Sequence, residues 1–146
     1  MKEKVGAILV IGAGVGGIRA ALDLAESGFL VYLTDRSPSI GGTLSQLDQW
    51  FPDNQCELCK LLPVFSRDEC PQLCLRKDLA HPNIELISNA VIEKVEGEAG
   101  DFEVFVKIKS RWVRPDRCTA CGLCVEVCPI EVADEFNEGW QNRKAI

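Results

Sequence analysis

One short stretch of this chain constrains its fold more than any other: Gly12-x-Gly14-x-x-Gly17, embedded in VIGAGVGG. It follows the unbroken apolar run VGAILVIG, which reads as a buried strand. It opens a segment with Ile18, Ala21, Leu22 and Ala25 at helical spacing, ending at Gly28, a natural helix terminator. The next apolar run, FLVYLT, reads as a second strand and ends at Asp35. Strand, glycine turn, helix and strand in this order predict a βαβ unit with parallel strands.

That arrangement has a chemistry. Gly12 permits the tight turn, Gly14 lets a pyrophosphate approach the backbone, and Gly17 lets helix and strand pack closely. Gly16 belongs to the same loop. The helix N-terminus offers N–H groups and the positive end of a dipole to phosphates. Asp35 stands 18 residues after Gly17, where a carboxylate can accept hydrogen bonds from a ribose. An acid there disfavours a 2′-phosphate, so FAD and NAD remain and NADP does not. Gly41–Gly42–Thr43 follows closely; it reads either as a second backbone approach to the pyrophosphate or as a plain turn.

Cysteine is the second signal. The eight cysteines fall into two groups of four, and the chain opens Met-Lys-Glu-Lys without an export signal, so metal ligation is favoured over a disulfide scaffold. Cys118, Cys121, Cys124 and Cys128 with Pro129 have the spacing C-x2-C-x2-C-x3-C-P, a ferredoxin-type [4Fe–4S] run. Zinc sites instead favour two separated C-x2-C pairs. In two-cluster ferredoxins the cysteine before proline serves the other cluster. Three arrangements therefore stay open. Cys128 closes the cluster locally, a cysteine of the first group helps, or the other half of the module lies outside this chain; the last is favoured. Cys56, Cys59, Cys70 and Cys74 form a C-x2-C and a C-x3-C pair in an irregular zone. They could hold a second cluster or a zinc ion, act as a dithiol, or bind nothing.

The remaining features set boundaries. Residues 43–82 are irregular and contain Trp50, Phe51 and three prolines before His81–Pro82. A connection of that length is usually functional. NIELIS reads as another strand. AVIEKVEG and FEVFVKIK alternate apolar with polar residues across a Gly97–Gly100 turn and predict a β-hairpin. The domains expected are 1–112, with a cysteine-rich insertion at about 48–82, and 113–146. A net charge of −6 argues against a nucleic-acid groove. No apolar stretch reaches the ~18 residues of a membrane span; the longest, Val5–Ile18, is broken by five glycines. The cytoplasm is the expected location. No Ser/His/Asp or paired-carboxylate pattern suggests a hydrolase, and His81 reads as a loop residue.

Four segments, VIGAGVGGIRAALDLAESGF, PSIGGTLSQLDQWFP, HPNIELISNAVIEKVEGEAGDF and CTACGLCVEVCP, together resemble the heterodisulfide reductase A family and its bacterial relatives. These include the flavin subunits of quinone-interacting membrane-bound oxidoreductases. The resemblance implies an α/β fold: a partial Rossmann-like, thioredoxin-reductase-like FAD domain with a β-hairpin, followed by a partial ferredoxin-like segment. By that resemblance Gly12, Gly14, Gly17, Asp35, Arg36, Gly42 and Thr43 would contact FAD, and the Val91 backbone would lie by the adenine. It also implies an oxidoreductase component acting with other electron-transfer subunits. Family members usually continue for hundreds of residues, so a split subunit whose remainder is another chain is an expected partner. The rival expectation is a non-catalytic, cluster-carrying module that docks to a complementary chain.

Overall fold

The apolar run at the start of the chain is strand β1 (Ala7–Ile11). It pairs in parallel with β2 (Leu30–Asp35), from Ala7 opposite Leu30 to Ile11 opposite Thr34. The computed structural model describes residues 6–47, 81–114, 117–119 and 121–146. Helix α1 (Val15–Glu26) connects the two strands, and its buried residues are Ile18, Ala21, Leu22 and Ala25. These are the four positions that the helical spacing picks out, because one helix stripe must face the sheet. The helix ends by a specific hydrogen-bond exchange. Gly28 takes a left-handed φ of 99°, its N–H donates to the Ala25 carbonyl, and the Phe29 N–H donates to that of Leu24. This is a Schellman termination, which glycine reaches without the steric cost of a Cβ.

Strand β3 (Ile84–Ser88) joins the far side of β2, again in parallel, so the sheet order is β1-β2-β3. Its core is Ala13, Ile18, Ala21, Leu22, Ala25, Val31, Leu33 and Ile40. Burial of a side chain such as Ile18, Val31 or Leu33 is worth about 1.5–3 kcal/mol each. The one buried polar side chain among the described residues is Thr34. Asn83 ties the start of β3 back to the helix, its Nδ2 donating to the Ala25 carbonyl at 3.1 Å.

The expected hairpin is β4 (Ala90–Glu98) paired antiparallel with β5 (Asp101–Ile108). Its turn is tighter than the glycine spacing suggests. Glu98 already pairs with Asp101, and Gly97 lies inside the strand opposite Phe102. A Cβ on Gly97 would collide with the Asp101 carbonyl oxygen, so glycine is required there by close approach.

Residues 110–146 form a second unit, separate from 1–109. It contains the short helix α2 (Leu123–Val127) and a small antiparallel pair, β6 (Glu131–Ala133) and β7 (Asn142–Lys144). Between β6 and β7, Asp134 caps a 3-10 turn by accepting from the Phe136 N–H at 3.1 Å. Among the described residues, no helix is long and apolar enough to cross a membrane.

Candidate functional site

The glycine loop leaves β1 at Gly12, whose φ of 102° makes the turn and whose N–H donates to the Thr34 carbonyl at 2.7 Å. Gly17 has the strictest requirement. A Cβ there would overlap the Gly12 carbonyl oxygen, so only glycine lets α1 approach the strand end this closely. Gly14 caps α1, and the first intrahelical donation is from Ile18 N–H to the Gly14 carbonyl. The N–H groups of the first turn therefore have no intrahelical acceptor. No acidic residue stands in that turn to compete for them.

The second glycine pair is part of the same structure and not an isolated turn. Gly41 forms a bridge with Gly14 and donates its N–H to the Ala13 carbonyl at 2.7 Å. Gly42 has a φ of 60°, and a Cβ on it would come within 3.2 Å of the Gly14 Cα. Two loops with little side-chain bulk thus lie against each other.

Asp35 holds this arrangement. Its Oδ2 accepts from the Ala13 N–H at 2.6 Å and its Oδ1 from the Ser37 N–H at 2.7 Å. A carboxylate has about four acceptor positions, so capacity for further donors remains on both oxygens. Beside it opens a cavity of about 480 Å³. Of the residues singled out in the sequence, Gly12, Asp35, Arg36, Gly42, Thr43 and Val91 line it, while Gly14, Gly16 and Gly17 belong to the adjoining turn and helix start. Ile11, Thr34, Ser37, Gln46, Ala90 and Ile92 line it too and carry no motif. Gln46 apart, their only sequence signal is adjacency to residues that do. A pyrophosphate fits this construction: glycine backbone in close approach, an uncontested helix N-terminus and a carboxylate at the strand end.

The cysteine run is built differently. Gly122, at φ 82°, turns the backbone between Cys121 and α2. The Leu123 N–H, and next the Thr119 hydroxyl, donate to the Cys121 sulfur and hold its thiol below the ordinary value. Cys124 and Cys128 are half-buried, Cys118 and Cys121 are exposed, and all four are free of disulfides. The Cys128 Sγ lies 3.6 Å from the Ile130 carbonyl oxygen. Among the described residues, no three Cys, His, Asp or Glu side chains converge as a metal-holding group. The structure provides the turn and the sulfur donors. Cys56, Cys59, Cys70 and Cys74, with Trp50 and Phe51, lie outside the described residues.

Comparison with known proteins agrees with both halves. A family model described as FAD dependent oxidoreductase matches residues 7–68, and one described as 4Fe-4S binding domain matches 111–133. A protein of Archaeoglobus profundus, described as like the heterodisulfide reductase A-subunit, is 49% identical over 141 residues, covering 95% of this chain and 19% of that protein. This chain is a homologue of the heterodisulfide reductase A-subunit. The second of the CoB–CoM heterodisulfide reductase iron-sulfur A-subunits of Methanopyrus kandleri is also 49% identical, over 94% of this chain and 20% of its own length. The chain thus spans about a fifth of the relatives it matches. Among solved structures, thioredoxin reductase from T. acidophilum covers 67% of this chain and 29% of its own, at 20% identity and a TM-score of 0.44. The two family matches indicate FAD and a [4Fe–4S] cluster as the cofactors of such a subunit.

Proposed function

We propose that this chain is the FAD- and cluster-bearing portion of an electron-transfer subunit that works inside a heterodisulfide reductase-type complex. The observation that carries this reading is the cavity at the end of β2, where Asp35 fastens the glycine loop beside Arg36, Gly42, Thr43 and Val91. In this reading Gly12, Gly14, Gly16 and Gly17 receive the FAD pyrophosphate. Asp35 takes the ribose hydroxyls, Arg36 and Thr43 border the same ligand, and the Val91 backbone meets the adenine. Cys118, Cys121 and Cys124 supply thiolates to a [4Fe–4S] cluster, Cys128 either closes it or serves the other half of the module, and Cys56, Cys59, Cys70 and Cys74 are assigned to a second metal centre. When bound, FAD exchanges electrons in pairs and the cluster singly; the protein contributes position and electrostatics.

The relatives are named as subunits of larger enzymes, and this supports partner subunits for this chain. A separate chain carrying the rest of a split subunit is the finer form of that proposal. A cytoplasmic site of action goes with it.

The test is anaerobic purification followed by assay of iron, acid-labile sulfide and extracted flavin. Iron and sulfide in equal amounts together with FAD are expected, with broad absorbance near ~400 nm from the cluster. Iron and sulfide without any flavin binding would reduce the chain to a cluster-carrying docking module. Zinc without sulfide would overturn the cluster assignment.

A further inference from the structure

A single residue, Asn89, separates β3 from β4. Its φ of 59° lies in the left-handed region, which side-chain-bearing residues seldom enter and which asparagine enters more readily than most. It is also a hydrogen-bond hub. Its N–H donates to the Ser37 carbonyl at 2.8 Å, and its carbonyl accepts from the Lys109 N–H at 2.8 Å. Its Nδ2 donates to the Lys109 carbonyl at 2.9 Å. Ser37 in turn donates to Asp35, which accepts from Ala13 in the glycine loop. A continuous path, Lys109–Asn89–Ser37–Asp35–Ala13, therefore runs from the residue after β5 to the phosphate-facing turn. The residues immediately after Asn89, namely Ala90, Val91 and Ile92, form part of the cavity wall.

We infer that Asn89 is a positioning residue for the adenosine end of the bound dinucleotide. It fixes the base of the hairpin so that the Val91 backbone meets the ligand. Through Ser37 it also sets the orientation of the Asp35 carboxylate. The inference rests on the dinucleotide reading of the cavity and deepens it. Asparagine suits both demands at this point, a left-handed backbone and a side-chain donor directed at the Lys109 carbonyl. Glycine would meet only the first, aspartate would lack the donor, and alanine would meet neither.

The test compares Asn89→Gly, Asn89→Asp and Asn89→Ala with the unaltered 146-residue chain. Dissociation constants for FAD and for ADP are measured well below the melting temperature of each variant. With about one hydrogen bond's worth of fixation lost, Asn89→Ala should weaken both ligands roughly tenfold. Asn89→Gly should recover part of that loss, to within about threefold of the unaltered chain, because only the side-chain bond is missing. The Ala13 and Ser37 amides should exchange hydrogen faster in Asn89→Ala, since the path connects them. A residue that merely turned the chain would lower the melting temperature and leave these constants and exchange rates alone. Equal affinities in all four proteins would overturn the inference and leave the dinucleotide site standing. Failure of the unaltered chain to bind either FAD or ADP would overturn both.

Discussion

Residues 6–109 and 110–146 of this chain organise their sites in opposite ways. The first region has a core: Ala13, Ile18, Ala21, Val31 and Leu33 are fully buried, and the ends of β1 and β2 that pack on it line the open cavity. In the second region none of the described residues is buried, and Trp112 and Trp140 are 87% and 90% exposed. A segment of this size without a core gains little from apolar burial, and metal binding is the usual substitute. The nucleotide pocket is thus framed by elements that pack on a core, whereas the cysteine run stands on a turn with no buried residue among those described around it.

The largest effect expected from this contrast is at Gly17. Gly17→Ala forces a Cβ against the Gly12 carbonyl, which is backbone and cannot swing aside. It should destabilise the first region by about 3 kcal/mol and abolish FAD binding. Gly122→Ala in the second region meets nothing within 4 Å and bears only the cost of its left-handed φ, about 1–2 kcal/mol. Denaturant titration of both variants measures the difference, and equal losses would break the contrast.

Next comes Asp35→Ala, which removes the acceptor for two backbone N–H groups. FAD affinity should fall about thirtyfold, or roughly 2 kcal/mol, as expected for hydrogen bonds to a charged group. Cluster content should be unchanged. Flavin titration alongside iron assay checks both halves.

The smallest effect lies in the second region. The Lys144 ammonium, by hydrogen bond and then by charge, holds the Glu131 carboxyl below its ordinary value of 4.5. A lowered folded-state value means that the support is present above that ordinary value and disappears as pH falls through the lower, folded one. Amide protection in the β6–β7 pair should accordingly weaken only in acid below about pH 4.5. Lys144→Ala should remove that acid dependence, since exposed pairs contribute little beyond it.

The same contrast governs how much could be read from sequence. Ile18, Ala21, Leu22 and Ala25 were legible because helical spacing and burial coincide in α1. The glycine loop was legible because steric exclusion leaves glycine alone at Gly17. Asp35 could be placed at the strand end. Its bond to Ala13, 22 residues away, could not, because no local pattern encodes a contact of that range. The fit of Gly42 against Gly14 was ambiguous for the same reason. Asn89 carried no periodic or motif signal, and its left-handed φ emerges only once the Ser37 and Lys109 partners are in place. In the second region the cysteine spacing announced the ligands.

Hydrogen exchange of the iron-free chain, with and without added FAD, tests the central contrast most directly. Strands β1, β2 and β3 and helix α1 should stay protected without iron, and FAD should further slow the Gly12–Gly17 amides. Residues 117–130, which carry the four cysteines, should exchange freely until iron and sulfide are restored. Protection of 117–130 in the iron-free chain, or loss of the first region's protection on removing iron, would contradict that contrast.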